Sequence, residues 1–151
     1  MFRLVIAIAC ALTLSGCFSF FANPADLYRG YKQSLGYYVA NDSVNTVCLL
    51  PKLRVALWEF ERQFGRRIVM SSGYRDPWHN ADVGGADGSY HMKCMAADFF
   101  IPGIAKRDLI AFARANPNVG GLGCYPNKIF IHIDIRDRPA GWRRPIEFSG
   151  C

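Results

Sequence analysis

Histidine is scarce in this chain, with three in 151 residues, at positions 79, 91 and 132. Acid is also limited, with 12 Asp and Glu against 18 Lys and Arg, a formal net charge of +6. The basic residues form no dense run, so nothing argues for a nucleic-acid partner. The apolar stretch Leu4 to Leu14 carries no charge but is too short to span a bilayer as a helix. There are no internal repeats and no linker segments. The 14 Gly and 8 Pro are spread along the chain, so no segment is disordered by composition. A length of 151 residues excludes more than one ordinary domain. What the chain does have is apolar substance, 51% hydrophobic and 14% aromatic, enough for one core.

The start is not read as part of the fold. Met1-Phe2-Arg3 is a short positive opening to the run Leu4 to Leu14, the pattern of a secretory signal peptide. Its end, Leu14-Ser15-Gly16-Cys17, resembles the lipobox of bacterial lipoproteins. Residues 1–16 are then the signal, Cys17 the lipidated first residue, 17–24 a tether and 25–151 the domain. An ordinary signal cleaved nearby, or an uncleaved anchor, is the alternative. Phe18 stands where Asp is lacking, which resembles the outer-membrane sorting signal. The expectation is an exported protein, lipid-anchored in the envelope at the outer membrane and facing the periplasm. Loss of Arg3 leaves about +5 (6 − 1), a mild surplus that suits an anionic envelope polymer. With Cys10 and Cys17 set aside, Cys48, Cys94, Cys124 and Cys151 remain in an oxidising compartment, and two disulfides are expected. Four cysteines allow three connectivities. The expected pairing is Cys94–Cys124 and Cys48–Cys151.

Along the domain, Ala25 to Ser34 reads as a short helix and Gly36 to Asn41 as a loop or short strand. Pro51 sits where a helix favours its first proline. Leu53, Leu57, Phe60 and Phe64 then recur at helical spacing, and Gly65 is a natural stop. Ile68-Val69-Met70 reads as a buried strand leading into Ser71-Ser72-Gly73-Tyr74-Arg75. Pro77 to Gly88, rich in Gly, Asp and Asn, reads as a long loop, a feature that usually serves function in a compact domain. Met95 to Ile101 reads as a strand, Ala105 to Ala115 as a helix, and Gly120 to Gly123 as a tight, flexible approach. Ile129, Ile131, Ile133 and Ile135 alternate on a strand whose other face carries Phe130, His132, Asp134 and Arg136. Ile146-Glu147-Phe148 reads as a last edge strand. Trp58, Trp78 and Trp142 read as core or rim at least as readily as substrate stackers, and Arg136, Arg138, Arg143 and Arg144 as a basic tail on a solvated face, with the carboxylates of peptide stems as its alternative partner. The mixture, without regular βαβ spacing, predicts one α+β domain with a mainly antiparallel central sheet flanked by helices.

The chemistry centres on Ser89 to Asp98 and on Ile131 to Asp134. Two histidines and two carboxylates lie there among apolar residues, where such groups must be bonded, paired or metal-bound. His132 and Asp134 share one strand face, a pair that could also simply face water. His91 and Asp98 are an odd offset apart, so on a plain strand they would point to opposite faces. If both reach one ion, the chain must turn between them, around Lys93-Cys94. Two imidazoles and a carboxylate with a fourth position for water make the catalytic type of zinc site, here on the sheet face. Asp134 is the candidate proton acceptor, or else a partner that holds His132 or a neighbouring Arg.

Ser89-x-His91-x-x-Cys94-x-Ala96-x-Asp98 resembles the Ser-x-His-x-x-Gly-x-Ala-x-Asp signature of the M15 zinc peptidases. That family includes D-alanyl-D-alanine carboxypeptidases and murein endopeptidases. The flanks are similar too: Ser72-Gly73-Tyr74-Arg75, His79-Asn80, Gly84-Gly85, Gly123-x-Tyr125-Pro126 and His132-x-Asp134. The resemblance implies one Zn2+ held by His91, Asp98 and His132. It implies Arg75 on a substrate carbonyl or carboxylate, Ser89 placing substrate or ligands, and Asp134 as general base of the His-x-Asp branch; Tyr125 is a further substrate-binding candidate, and His79, in the long loop, is read as contacting substrate or backbone. The acid that some members carry two or three residues before the last ligand is Phe130 or Ile129 here. Cys94 replaces a Gly that suits a tight backbone turn. His91-x-x-Cys94 is also metal-ligand spacing, so Cys94 is either a bridged or packed thiol, the preferred reading, or a ligand.

The leading expectation is a zinc metallopeptidase acting on peptidoglycan stem peptides or cross-links, at D-amino-acid bonds. Whether it would act as carboxypeptidase or endopeptidase stays open. The alternative is a zinc-stabilised, catalytically silent peptidoglycan-binding lipoprotein, with a metal-free structural lipoprotein a weaker third.

Overall fold

The structure, a computed structural model, describes residues 24–151. The expected signal peptide, the expected lipidation site Cys17, Phe18 and nearly all of the expected tether lie outside the described residues.

After a 3-10 turn over Pro24–Tyr28 come strands β1 (Lys32–Ser34) and β2 (Tyr37–Val39), so the helix expected up to Ser34 stops early. Helix α1 (Pro51–Phe64) begins with Pro51 in its first turn and ends at Gly65, left-handed at φ 62°. That conformation costs glycine little. Strand β3 (Val69–Ser72) follows, and then α2 (Pro77–Asp82) within the stretch expected to be loop. The Asp76 carboxylate caps α2 by accepting from the backbone N–H groups of Trp78 and His79. A 3-10 turn over Tyr90–Lys93 leads into β4 (Ala96–Phe100), α3 (Lys106–Ala115), β5 (Gly121–Gly123), β6 (Ile131–Asp134) and β7 (Ile146–Phe148).

The strands form one sheet in the order β1-β2-β3-β4-β6-β5-β7. Four of its pairings are antiparallel, while β2–β3 and β5–β7 are parallel. The α+β reading with a mainly antiparallel sheet therefore holds. Leu53, Leu57 and Phe60 of α1 and Leu109 and Ala113 of α3 share one core with Phe99, Leu122, Ile131 and Ile133 of the sheet. The Phe60 ring meets those of Phe99 and Phe112 edge-on, at 4.9 and 4.7 Å. Two helices thus cover one face of the sheet and leave the centre of the other for the site. No helix among the described residues is long and apolar enough to cross a membrane.

Three local expectations change. Ile129 precedes β6 and is 68% exposed, so the isoleucine face begins at Ile131. Gly121–Gly123 is strand rather than a flexible approach: a Cβ at Gly121 would run into Asp134 and Arg136. The three tryptophans are all exposed, so none belongs to the core.

The disulfides also differ from the expected pairing. Cys48 joins Cys94, and Cys124 joins Cys151. The segment ahead of α1 runs beside residue 94, where Leu50 N–H donates to the Cys94 carbonyl at 3.0 Å. The C-terminus instead returns along β5, with Tyr125 N–H on the Ser149 carbonyl at 2.7 Å. Chain path, which cysteine spacing does not encode, decides the partners.

Candidate metal centre

Asp98 on β4 and His132 on β6 are direct cross-strand partners. Alternation puts Ala96 and Asp134, one pleat along, on the same face. His91 arrives by the turn Tyr90–Lys93, which Ser89 caps by accepting from the His91 N–H. Cys94 ends the turn in the left-handed region, φ 58° and ψ 20°. The reversal expected between His91 and Asp98 therefore lies at Lys93-Cys94.

Three donor atoms meet. His91 Nε2 lies 3.2 Å from Asp98 Oδ1, His132 Nδ1 lies 2.9 Å from that oxygen, and the two nitrogens are 3.1 Å apart. Ligands about 2.0–2.1 Å from a tetrahedral metal stand about 3.3 Å from one another. The observed edges have that size, and all three residues are buried.

The outward atoms fix the tautomers. His91 Nδ1–H donates to the Gly73 carbonyl at 2.6 Å, and His132 Nε2–H donates to Asp134 Oδ2 at 3.2 Å. Each imidazole, when neutral, then turns a lone pair towards Asp98. Three acceptor atoms facing one another within hydrogen-bond distance need positive charge between them, from a metal ion or, without one, from ring protons. This donor set, His2Asp with anchored outer nitrogens, fits a metal ion.

Burial pushes the Asp98 carboxyl up, but hydrogen bonds from His132 and His91 and their charge outweigh it and hold the group well below the carboxylate range. Burial pushes His132 down, while Asp134 and Asp98 raise it further, for a net upward shift. Asp134, raised by burial, is brought low by His132 and Arg136.

A cleft of about 580 Å³ opens over the centre, and Arg75, Ser89 and Tyr125 line it. Arg75 donates to the second oxygen of Asp98 at 2.6 Å and to Ser72 Oγ at 2.8 Å. His79 lies on α2 and is not among the lining residues. Asp134 sits on the far nitrogen of His132, turned away from the three donors, and is fully buried. Cys94 is bridged and does not belong to the donor set.

Several residues around the centre carry little local signal. Phe148 reaches the cleft from edge strand β7, its ring 5.3 Å from that of His132. Arg136 grips Asp134 through Nε at 2.8 and 3.0 Å and lies over the Tyr90 ring at 4.3 Å. Its place two residues beyond Asp134 on one strand face was the available clue. Gly73 contributes only a carbonyl, which no side-chain pattern reveals.

Comparison with known proteins gives a consistent picture. The family model described as Peptidase M15 matches residues 30–134. The peptidoglycan L,D-endopeptidase MepK of Escherichia coli (strain K12) is 34% identical over 118 residues, 70% of this chain and 64% of that protein. MepK of Shigella flexneri matches to the same extent, 34% over 118 residues. A Haemophilus influenzae protein with the MepK name is 33% identical over 111 residues, 68% of this chain and 59% of its own length. The chain thus spans somewhat under two thirds of the curated relatives it matches.

Proposed function

The chain belongs to the peptidase M15 family, and from that membership and the geometry of its metal centre we propose that it is a zinc-dependent peptidase hydrolysing peptide bonds of peptidoglycan. The observation that carries the reading is the meeting of His91 Nε2, Asp98 Oδ1 and His132 Nδ1 at 2.9–3.2 Å, with the outer nitrogens anchored. One Zn2+ would be held by these three atoms, supplying Lewis acidity and a water of lowered pKa.

The chain's own residues do the rest. Gly73 and Asp134 hold the two rings in the tautomers the metal needs. Arg75 fixes Asp98 through one oxygen and turns its remaining edge to a substrate carbonyl in the cleft. Burial, and then the Asp98 charge, raise the pKa of the Tyr125 hydroxyl, so it stays protonated and offers an O–H donor there. Arg75, Lys128 and Arg136 give the cleft a positive wall, which suits the carboxylates of stem peptides. In this reading Asp134 orients His132 and is not the proton acceptor. A base must reach the proton it takes, and Asp134 lies behind the ring.

The finer assignment is an endopeptidase cutting cross-links at bonds that involve D-amino acids, rather than a carboxypeptidase. The names of the relatives support it, as L,D-endopeptidases. Residues 25–151 form the peptidase domain, exported and lipid-anchored through Cys17 to the outer membrane facing the periplasm. Leu14-Ser15-Gly16-Cys17 supports the anchor, and two disulfides suit an oxidising compartment.

One observation favours a second reading, a zinc-stabilised module that binds peptidoglycan without cleaving it. Among the described residues that line the cleft, Asp98 is the only carboxylate, and it is a ligand. The test is metal content and product release from sacculi. The purified chain should bind about one zinc and release muropeptides, and His91→Ala should lose both. Release that persists in His91→Ala, or after complete zinc removal, rules out the mechanism. Sacculus binding with no product at full zinc load establishes the silent module instead.

A further inference from the structure

Residue 94 combines two features that the metal centre does not by itself explain. It holds a left-handed backbone, φ 58°, with a side chain that L-residues carry there only at a cost. It is also the residue through which the turn bearing His91 is bridged to Cys48.

The turn depends on that backbone. Cys94 N–H donates to the carbonyls of His91 and Tyr90, and Met95 N–H donates to Tyr90 O at 3.0 Å. Glycine is the usual occupant of such a helix-ending position. It is also what the Ser-x-His-x-x-Gly-x-Ala-x-Asp pattern has there. If residue 94 relaxed to an ordinary φ, these bonds would break three residues from His91, and its ring would swing away from Asp98.

The bridge leads to a segment held at both ends. Residues 45–50 run between β2 and α1. At one end Tyr74 N–H donates to the Asn45 carbonyl at 2.8 Å, beside Gly73, where a Cβ would strike that same carbonyl. Gly73 is the residue whose carbonyl takes the His91 Nδ1 proton. At the other end Leu50 N–H donates to Cys94 O, and Leu49, whose carbonyl Arg54 holds at 2.9 Å, is 3% exposed. One strap therefore backs both backbone pieces that orient His91, and Cys48–Cys94 is its covalent link to the turn.

We propose that the Cys48–Cys94 bridge is a positioning element of the metal centre: it holds residue 94 in the left-handed turn in place of glycine, and so keeps His91 Nε2 on the site. The inference rests on the metal reading given under the proposed function.

The test compares unbridged variants that all lack the covalent tie and differ only in how readily residue 94 adopts the turn. They are Cys48→Ser combined with Cys94→Ser, with Cys94→Asn or with Cys94→Gly, the Cys124–Cys151 bridge being left intact. Zinc affinity is read by competition with a chromophoric chelator. The geometry of the site is read from the visible spectrum of the Co2+-loaded protein, and fold from thermal melting without metal. The Ser pair should bind zinc about tenfold more weakly than the parent, with a weakened tetrahedral Co2+ spectrum. The Gly pair should return to near-parental affinity and spectrum while still melting below the parent for want of the bridge, and the Asn pair should lie between. If the Ser pair does not fold, the Asn–Gly difference carries the test. A bridge that acts only as a stability staple would lower every melting point and leave all affinities equal, which overturns the inference. Equal weakness in the Gly and Ser pairs overturns it as well, since the turn would not be the route. A parent that binds no zinc defeats the metal reading and the inference together, whereas a zinc-binding parent with indifferent variants defeats the inference alone.

Discussion

The Asp134 carboxylate bears two hydrogen-bonding demands at once: it accepts from His132 Nε2 and from the Arg136 guanidinium. An Asp134→Asn variant keeps the shape but replaces one acceptor with an N–H donor. With that donor on His132 Nε2, the ring proton moves to Nδ1, the atom that faces Asp98. Zinc affinity should then fall about 10- to 100-fold, with secondary structure retained by circular dichroism. If Asp134 were the general base instead, zinc affinity would be unchanged and only kcat would fall. At this scale the three converging donors were legible in the sequence, because two of the chain's three histidines and a carboxylate are set in apolar surroundings. The contact of Asp134 was not. Strand alternation placed it beside His132 without saying which ring nitrogen it would meet.

Edge strand β7 brings Phe148 to the cleft, and its hold on the domain includes the pair between Arg114 of α3 and Glu147. Arg114 Nε and Nη2 reach the two Glu147 oxygens at 3.0 and 2.8 Å. The Arg114 hydrogen bond, ahead of burial, holds the Glu147 carboxyl below its ordinary 4.5. A depressed folded-state pKa adds stability that is fully present above the unfolded value and is lost as pH falls through the folded one. Glu147→Gln should therefore cost up to about 1 kcal/mol at neutral pH, a figure already discounted for the exposure of the pair. It should also flatten the fall in stability below about pH 4.5. Urea melts of both proteins between pH 3 and 7 would measure this, and parallel curves at every pH would refute it. Helix α1 was legible from Pro51 to Gly65, because cap chemistry and apolar spacing are local. The strand at Gly121–Gly123 was not, because what makes it a strand is pairing with β6 and β7. Its glycines look like flexibility until Asp134 and Arg136 are seen filling the space beside Gly121.

The whole molecule sets a positive wall over the group of His91, Asp98 and His132, in which Asp98 is the one carboxylate. Arg75 is paired with Asp98 and Arg136 with Asp134, whereas Lys128 has no ion pair among the described residues. Its loop is clamped from beneath, as Lys106 Nζ donates to the carbonyls of Tyr125 and Lys128 at 2.6 and 2.8 Å. Lys128→Ala should raise KM for carboxylate-bearing muropeptides about three- to tenfold and change kcat little, the signature of lost uniform binding. Steady-state kinetics on defined muropeptides would measure it. An unchanged KM would remove Lys128 from substrate recognition.

Taken alone, the sequence determined one α+β domain, helix α1, the convergence of His91, Asp98 and His132, the reversal at Lys93-Cys94 and the family resemblance. Each is written in residue type, period or short spacing, which act over a few positions of the chain. Tertiary structure decided the cysteine partners, the side of His132 on which Asp134 lies, the strap behind His91 and the arrival of Phe148. These depend on strand register and chain path, which join residues tens of positions apart and leave no local trace. The turn at Cys94 belongs to both: its departure from glycine is visible in the sequence, and the bridge to Cys48 that accompanies it is visible only in the fold.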